Sequence, residues 1–133
     1  MKVAIIGSRS FKDYDLLKKT LDGIAEISLI VSGCAVGADT LGELYAKEKG
    51  IPTLLFRPDW EKYGKAAGFI RNKEIINNAD FVIAFWDTKS KGTAHSISLA
   101  NKQGKKLIVV NFTPIPEQLP LHKNGTPLVP LDN

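Results

Sequence analysis

Cysteine is almost absent from this 133-residue chain: Cys34 stands alone, so no intrachain disulfide forms. A lone thiol reads first as a small buried side chain. A nucleophilic role needs a nearby base, and the sequence places none. No apolar run approaches the ~20 residues that span a bilayer, so a membrane partner is not expected. The N-terminus, MKVAIIGSRS, is too short in apolar residues for a signal peptide and reads as a first strand, with the cytoplasm as the expected compartment. No long Lys/Arg run is present either, although the net charge is +4 and the isoelectric point about 9.2. Modest basicity suits an anionic ligand, and scattered lysines suit solvated helix faces. Nucleic acid is therefore not the expected partner. No Cys/His/Asp cluster has metal-ligand spacing, so no metal and no cofactor are expected. The Gly-x-Ser-x-Gly elbow of serine hydrolases is missing. So are the Walker A loop and the Gly-x-Gly-x-x-Gly dinucleotide fingerprint.

What is present fits one folded domain, with 44% hydrophobic and 24% charged residues. Five short apolar segments read as buried strands: Lys2–Ile6, Ser28–Val31, Pro52–Phe56, Asp80–Phe85 and Lys106–Val110. They are continuous rather than alternating, as a parallel sheet covered on both faces requires. Helical spacing lies between them. Leu17, Leu21 and Ile24 share one face, with Asp13 or Asp15 as the cap. Ala38–Lys49 stops at Gly50 before Pro52. Two more helices are expected at Ala66–Asn78 and Thr93–Gln103. This alternation predicts an α/β, Rossmann-like doubly wound sheet of five mainly parallel strands, order 3-2-1-4-5, with helices on both faces. The expected division is a domain over residues 1–112 and a tail over 113–133, which holds five of the seven prolines.

On such a sheet a ligand lies at the carboxyl ends of the strands, at the switch point between the first and fourth. Four polar segments fall there. Gly7, Ser8 and Arg9 follow the first strand: glycine lets the backbone approach a ligand, and Ser and Arg donate to phosphate. Ser32, Gly33, Cys34, Gly37, Ala38 and Asp39 follow the second. Small residues there leave backbone N–H groups open at a helix start, a ready anion site. Asp39 is favoured by the helix dipole alone, or accepts from a ribose hydroxyl, or fixes the loop. Gly92 and Thr93 open the last helix, where Thr93 can cap and touch phosphate. Arg71 and Asn72 sit on the third helix, where Arg71 either snorkels or brings a second cation to the cleft. Phe11, Trp60 and Trp86 are candidates to stack on a base. His95 lies just past Gly92-Thr93 and titrates near neutrality if it faces the cleft.

Together, Gly7-Ser8-Arg9 with Phe11, Gly33 to Gly37-Ala38-Asp39, Pro58-Asp59-Trp60, Lys65-Ala66-Ala67-Gly68 running into Arg71-Asn72, Asp80 and Gly92-Thr93-Ala94 resemble the SLOG superfamily, in its YspA-like branch. The resemblance spans roughly residues 1–110. It implies a Rossmann-like fold, a nucleotide or nucleotide-derived ligand, and a homo-oligomer, dimer or tetramer. Relatives include LOG-type phosphoribohydrolases, which pair a helix Arg with a Gly-Gly-x-Gly-Thr loop and a catalytic Glu. Here Arg71 looks like the Arg and Gly92-Thr93 like the end of the loop. Lys89-Ser90-Lys91 replaces the first glycines, and His95 stands where the Glu belongs. Catalysis would fall to Arg71 with Glu74 or His95. The leading expectation is a nucleotide sensor or sequestering protein, for a mononucleotide, an ADP-ribose-type molecule or a cyclic signal. The alternative is a nucleoside 5′-monophosphate phosphoribohydrolase. Single-stranded DNA binding, as in the related DprA proteins, comes third.

Overall fold

The computed structural model describes residues 1–114. Five strands alternate with helices: β1 Lys2–Gly7, α1 Tyr14–Asp22, β2 Leu29–Ser32, α2 Ala38–Lys49, β3 Thr53–Leu55, α3 Trp60–Tyr63, α4 Ala67–Asn77, β4 Phe81–Trp86, α5 Lys91–Lys102 and β5 Lys106–Asn111. All four strand pairings are parallel, in the order β3-β2-β1-β4-β5. The expected sheet is therefore the observed one. From Ile115 on, the proline-rich tail lies outside the described residues.

Side-chain alternation along the strands divides the core into two layers. Val3 and Ile5 of β1 and Phe81, Ile83 and Phe85 of β4 pack against Leu17 and Leu21 of α1 and Tyr45 and Ala46 of α2. Ala4 and Ile6 of β1 and Val82 and Ala84 of β4 face Ile75 and Ile76 of α4 and Ala100 of α5. The strands β1 and β4 are covered on both faces, hence their unbroken apolar runs. No helix among the described residues is long and apolar enough to cross a membrane.

Helix starts follow side-chain chemistry. The Asp13 carboxylate accepts from the Leu16 amide at 3.0 Å and caps α1, leaving Asp15 in the first turn. Asp59 does the same for α3, accepting from the Lys62 amide at 3.1 Å. The short α3, continued by a 3-10 turn over Gly64–Ala66, has no apolar periodicity and was not expected. The last helix begins two residues earlier than expected. Ser90, not Thr93, is its cap: the Ser90 hydroxyl accepts from the Thr93 amide at 3.4 Å.

Candidate functional site

At the carboxyl ends of β1 and β4, where the sheet order reverses, an open cleft of about 460 Å³ is walled by the β1–α1 loop on one side and by α4 and α5 on the other. Arg9, Ser10, Asp39, Arg71, Asn72, Gly92 and Thr93 line it, over a floor that includes Ile6, Gly7 and Ile75.

The β2–α2 loop differs from its expected role. Its amides were read as an open anion site, but a protein carboxylate fills it. Asp39 is buried, and its Oδ2 accepts from the Gly33 amide at 3.1 Å and the Ala35 amide at 3.3 Å. Its glycines serve close packing. A Cβ on Gly33 would stand 2.8 Å from Arg71 Cδ and 2.9 Å from Asp39 Oδ2. Gly37, at φ 88°, lies against the backbone carbonyls of Ser8 and Arg9. Gly7 repeats the pattern, since its Cβ would come within 2.6 Å of the Ala38 Cβ. The first and second loops are thus locked backbone to backbone. Of the residues expected to bind here, Ser32, Gly33, Cys34, Gly37 and Ala38 do not line the cleft. Ser32 is buried, its hydroxyl donating to the Asp39 carbonyl at 3.4 Å. Cys34 is half-buried in a left-handed conformation, φ 61°, and burial pushes its thiol up.

Burial likewise raises the Asp39 carboxyl to about 6, against the opposing pull of the Ala35 amide, the Arg71 charge and the Gly33 amide. Arg71 is held across the cleft. Its Nη1 donates to the Gly33 carbonyl at 2.6 Å and its Nε to the Asn72 Oδ1 at 3.1 Å. It is therefore a cleft cation rather than a snorkelling side chain. Asn72 in turn donates to the Gly92 carbonyl at 3.5 Å and ties α4 to the start of α5.

At the start of α5 the Thr93 amide is taken by the Ser90 hydroxyl, which leaves the amides before it without an acceptor inside the helix, and a Cβ added at Gly92 would meet nothing within 4 Å. Beside it, Ser10 Oγ is buried and makes no hydrogen bond among the described residues. Ser8 does not line the cleft. It is buried, and its Oγ accepts from the Asp87 amide at 3.1 Å, joining the first loop to the end of β4. Burial works against the Asp87 charge, but the Ser90 and Lys89 amides and the Ser8 hydroxyl outweigh it and hold that carboxyl below its ordinary range. Ser10, Ser90, Ser96 and Asp87 all line the cleft without having been singled out. The available signal was positional: Ser96 lies one helical turn past Thr93, and the others flank strand ends.

Two of the three stacking candidates are corrected. Phe11 is 1% exposed and stacks on Phe85 at 4.5 Å between ring centroids, so it is core. Trp86 is half-buried, does not line the cleft, and donates from Nε1 to the Ser90 carbonyl at 3.1 Å. Trp60 is 56% exposed, on α3. The carboxylate and imidazole proposed for hydrolysis also lie elsewhere. Glu74 is exposed and outside the cleft. His95 packs edge-on against Phe69 at 4.6 Å, also outside the cleft; burial and the charge of Lys102 lower its pKa. Only Arg71 of that catalytic set is in the site.

A five-stranded parallel sheet in the order β3-β2-β1-β4-β5, with a polar cleft at its switch point, defines a Rossmann-like α/β protein. The sequence pattern of the YspA, cpYpsA-related SLOG family matches residues 1–63. Gene 61 protein of Mycobacterium phage D29 is 36% identical over 121 residues, covering 84% of this chain and 95% of that protein. The chain belongs to the YspA, cpYpsA-related SLOG family. Among solved structures it is similar to DNA processing protein A from Helicobacter pylori, described for its single-stranded DNA binding mode. The TM-score is 0.63 and the identity 26%, over 96% of this chain and 68% of that one. This likeness overturns the expectation that nucleic acid is not a partner. That expectation rested on the missing Lys/Arg run, and a run is not needed where a fold gathers cations from separate elements: Arg9 of the β1–α1 loop and Arg71 of α4 are 62 positions apart in the chain and line one cleft.

Proposed function

We propose that the protein binds the phosphate and sugar of a nucleotide in the switch-point cleft, and that the favoured source of that nucleotide is single-stranded DNA. The observation that carries the reading is the convergence on one cleft of Arg9, Arg71, the buried Ser10 hydroxyl, unpartnered among the described residues, and the space beside Gly92 at the start of α5. Helix amides, a hydroxyl and two guanidiniums are the donor set that a phosphate takes. Asp39 holds the opposite wall together and does not compete for the phosphate, because its carboxylate is already committed to two amides. Similarity to a protein solved for its single-stranded DNA binding mode supports the polymeric source.

A second reading rests on size. A cleft of about 460 Å³ is within the range of small-molecule sites. A free mononucleotide, an ADP-ribose-type molecule or a cyclic nucleotide signal fits the same donors. Titration calorimetry with thymidine 5′-monophosphate and with a fluorescein-labelled oligothymidylate tests both. Under the favoured reading both ligands bind, the oligomer more tightly and with steep salt dependence, and Arg71→Ala weakens each. Tight binding of a free nucleotide with no oligomer binding selects the second reading. Failure of both ligands and of the ADP-ribose and cyclic nucleotide probes refutes the proposal.

A further inference from the structure

Beyond the cleft wall formed by Asn72 and the start of α5, the surface of α3, α4 and α5 carries aromatic side chains that the core does not use. Phe69 is 51% exposed and Trp60 56%. The Trp60 ring tip lies 3.8 Å from where a Cβ on Gly68 would stand, and Phe69 is the next residue of α4. On its other side Phe69 meets the His95 ring edge-on at 4.6 Å. Phe69 and His95 thus pair across α4 and α5, and with Trp60 beside Gly68 they make up an aromatic shelf on the outer surface of α3, α4 and α5. Phe69 sits one turn before Asn72, which lines the cleft, so the Phe69 end of the shelf adjoins it.

The charges around the shelf have one dominant sign. Lys73 is one turn after Phe69 on α4, and Lys91 one turn before His95 on α5, each on the face of its ring by helical spacing. Both are exposed, as are Lys62 and Lys65 beside Trp60. Glu61 and Glu74 are the nearby exposed carboxylates, while Asp59 is engaged as the α3 cap. Two copies of this face would bring lysine against lysine. A polyanion with flat apolar groups would meet both the charge and the rings.

We infer that the Trp60–Phe69–His95 shelf is a base-stacking platform for single-stranded nucleic acid, with the lysines tracking the backbone as it leaves the phosphate cleft. The inference rests on the cleft reading and adds to it a site, a ligand part and a direction. Ring faces accept any base, so binding here is tolerant of sequence.

The experiment is fluorescence anisotropy with a labelled oligothymidylate of about 15 nucleotides, a matched oligomer carrying abasic sites, and thymidine 5′-monophosphate. It is run on the full chain, on Trp60→Ala, on Phe69→Ala and on Arg71→Ala. Both aromatic residues are exposed, so thermal melting of their variants stays at the wild-type midpoint. Each aromatic variant is expected to weaken the normal oligomer roughly 5- to 100-fold while binding the mononucleotide as wild type does. Abasic sites should weaken the wild type and leave the two aromatic variants nearly indifferent. Oligomer binding unchanged in both variants overturns the shelf and leaves the cleft reading standing. So does mononucleotide binding without oligomer binding. A wild-type dimer in sedimentation that Phe69→Ala or Trp60→Ala converts to a monomer also overturns it, assigning the face to a second copy. Loss of the oligomer and the mononucleotide alike in Arg71→Ala, with both retained in the aromatic variants, refutes the shelf and supports the cleft.

Discussion

Asn in place of Asp39 changes one atom and removes a buried charge. The amide oxygen of Asn can accept from the Gly33 and Ala35 amides that Asp39 now holds, so loop geometry is retained. What changes is linkage to protons. Asp39 moves from an ordinary 3.8 to about 6 in the folded protein, burial being the main cause. The native state then binds the proton more tightly than the unfolded chain does. Below about pH 3 the group is protonated in both states and costs nothing. As pH rises from there through about 6, the native state alone resists ionisation and loses stability. Above about 6 the loss is complete, at about 3 kcal/mol. Urea unfolding of wild type and Asp39→Asn at matched pH values reads this directly. Other groups titrate identically in both proteins and drop out of the difference. His95, whose lowered pKa acts in the opposite sense over nearby pH, is one such group. The gap in unfolding free energy should move by about 3 kcal/mol in favour of Asn between about pH 3 and pH 7. A gap that stays constant within about 0.5 kcal/mol would show that Asp39 ionises normally. The account of the β2–α2 loop as a nest filled by a desolvated carboxylate would then be wrong.

Ser10→Ala removes a buried hydroxyl with no partner among the described residues, so thermal unfolding should show equal or higher stability, by up to about 1 kcal/mol. The same variant should bind thymidine 5′-monophosphate about 5-fold more weakly by calorimetry, because one donor to the phosphate is gone. Gly37→Ala should be destabilised by at least about 1–3 kcal/mol in urea, since φ is 88° and the methyl group would run into the Ser8 and Arg9 carbonyls. Glu74→Gln should leave nucleotide affinity at the wild-type value, because Glu74 is exposed outside the cleft. A large loss there would place the ligand on the other side of α4.

Much of the fold was legible because its signals are local. Buried parallel strands read as unbroken apolar runs, and Gly50 after Lys49 marks a helix end by its left-handed turn, φ 69°. Alternation of such elements, with right-handed crossovers, leaves only a handful of parallel sheets, of which the order 3-2-1-4-5 is one. The short α3 was not legible, since four residues carry no periodicity and its only signal is the Asp59 cap. The site was half legible. Position at strand ends correctly brought Arg71, Asn72, Gly92 and Thr93 together. What failed was the inference from a small-residue loop to an external anion. Composition cannot tell whether backbone amides wait for a ligand or are taken by a carboxylate six residues on, as Gly33 is by Asp39. Aromatic residues failed for a similar reason. Phe11 and Trp60 are equally apolar in sequence, yet one fills the core against Phe85 and the other is exposed.

The central claim is that a nucleotide phosphate sits between the first loop and the start of α5. Amide chemical shifts of isotopically labelled protein, followed while thymidine 5′-monophosphate or a short oligothymidylate is added, test it most directly. The account predicts that the largest shifts fall on Arg9, Ser10, Lys91, Gly92 and Thr93, with Gly33 and Ala35 moving little because Asp39 holds them. Shifts centred on Gly33, Cys34 and Ala35, or spread with no focus at the cleft, would contradict it.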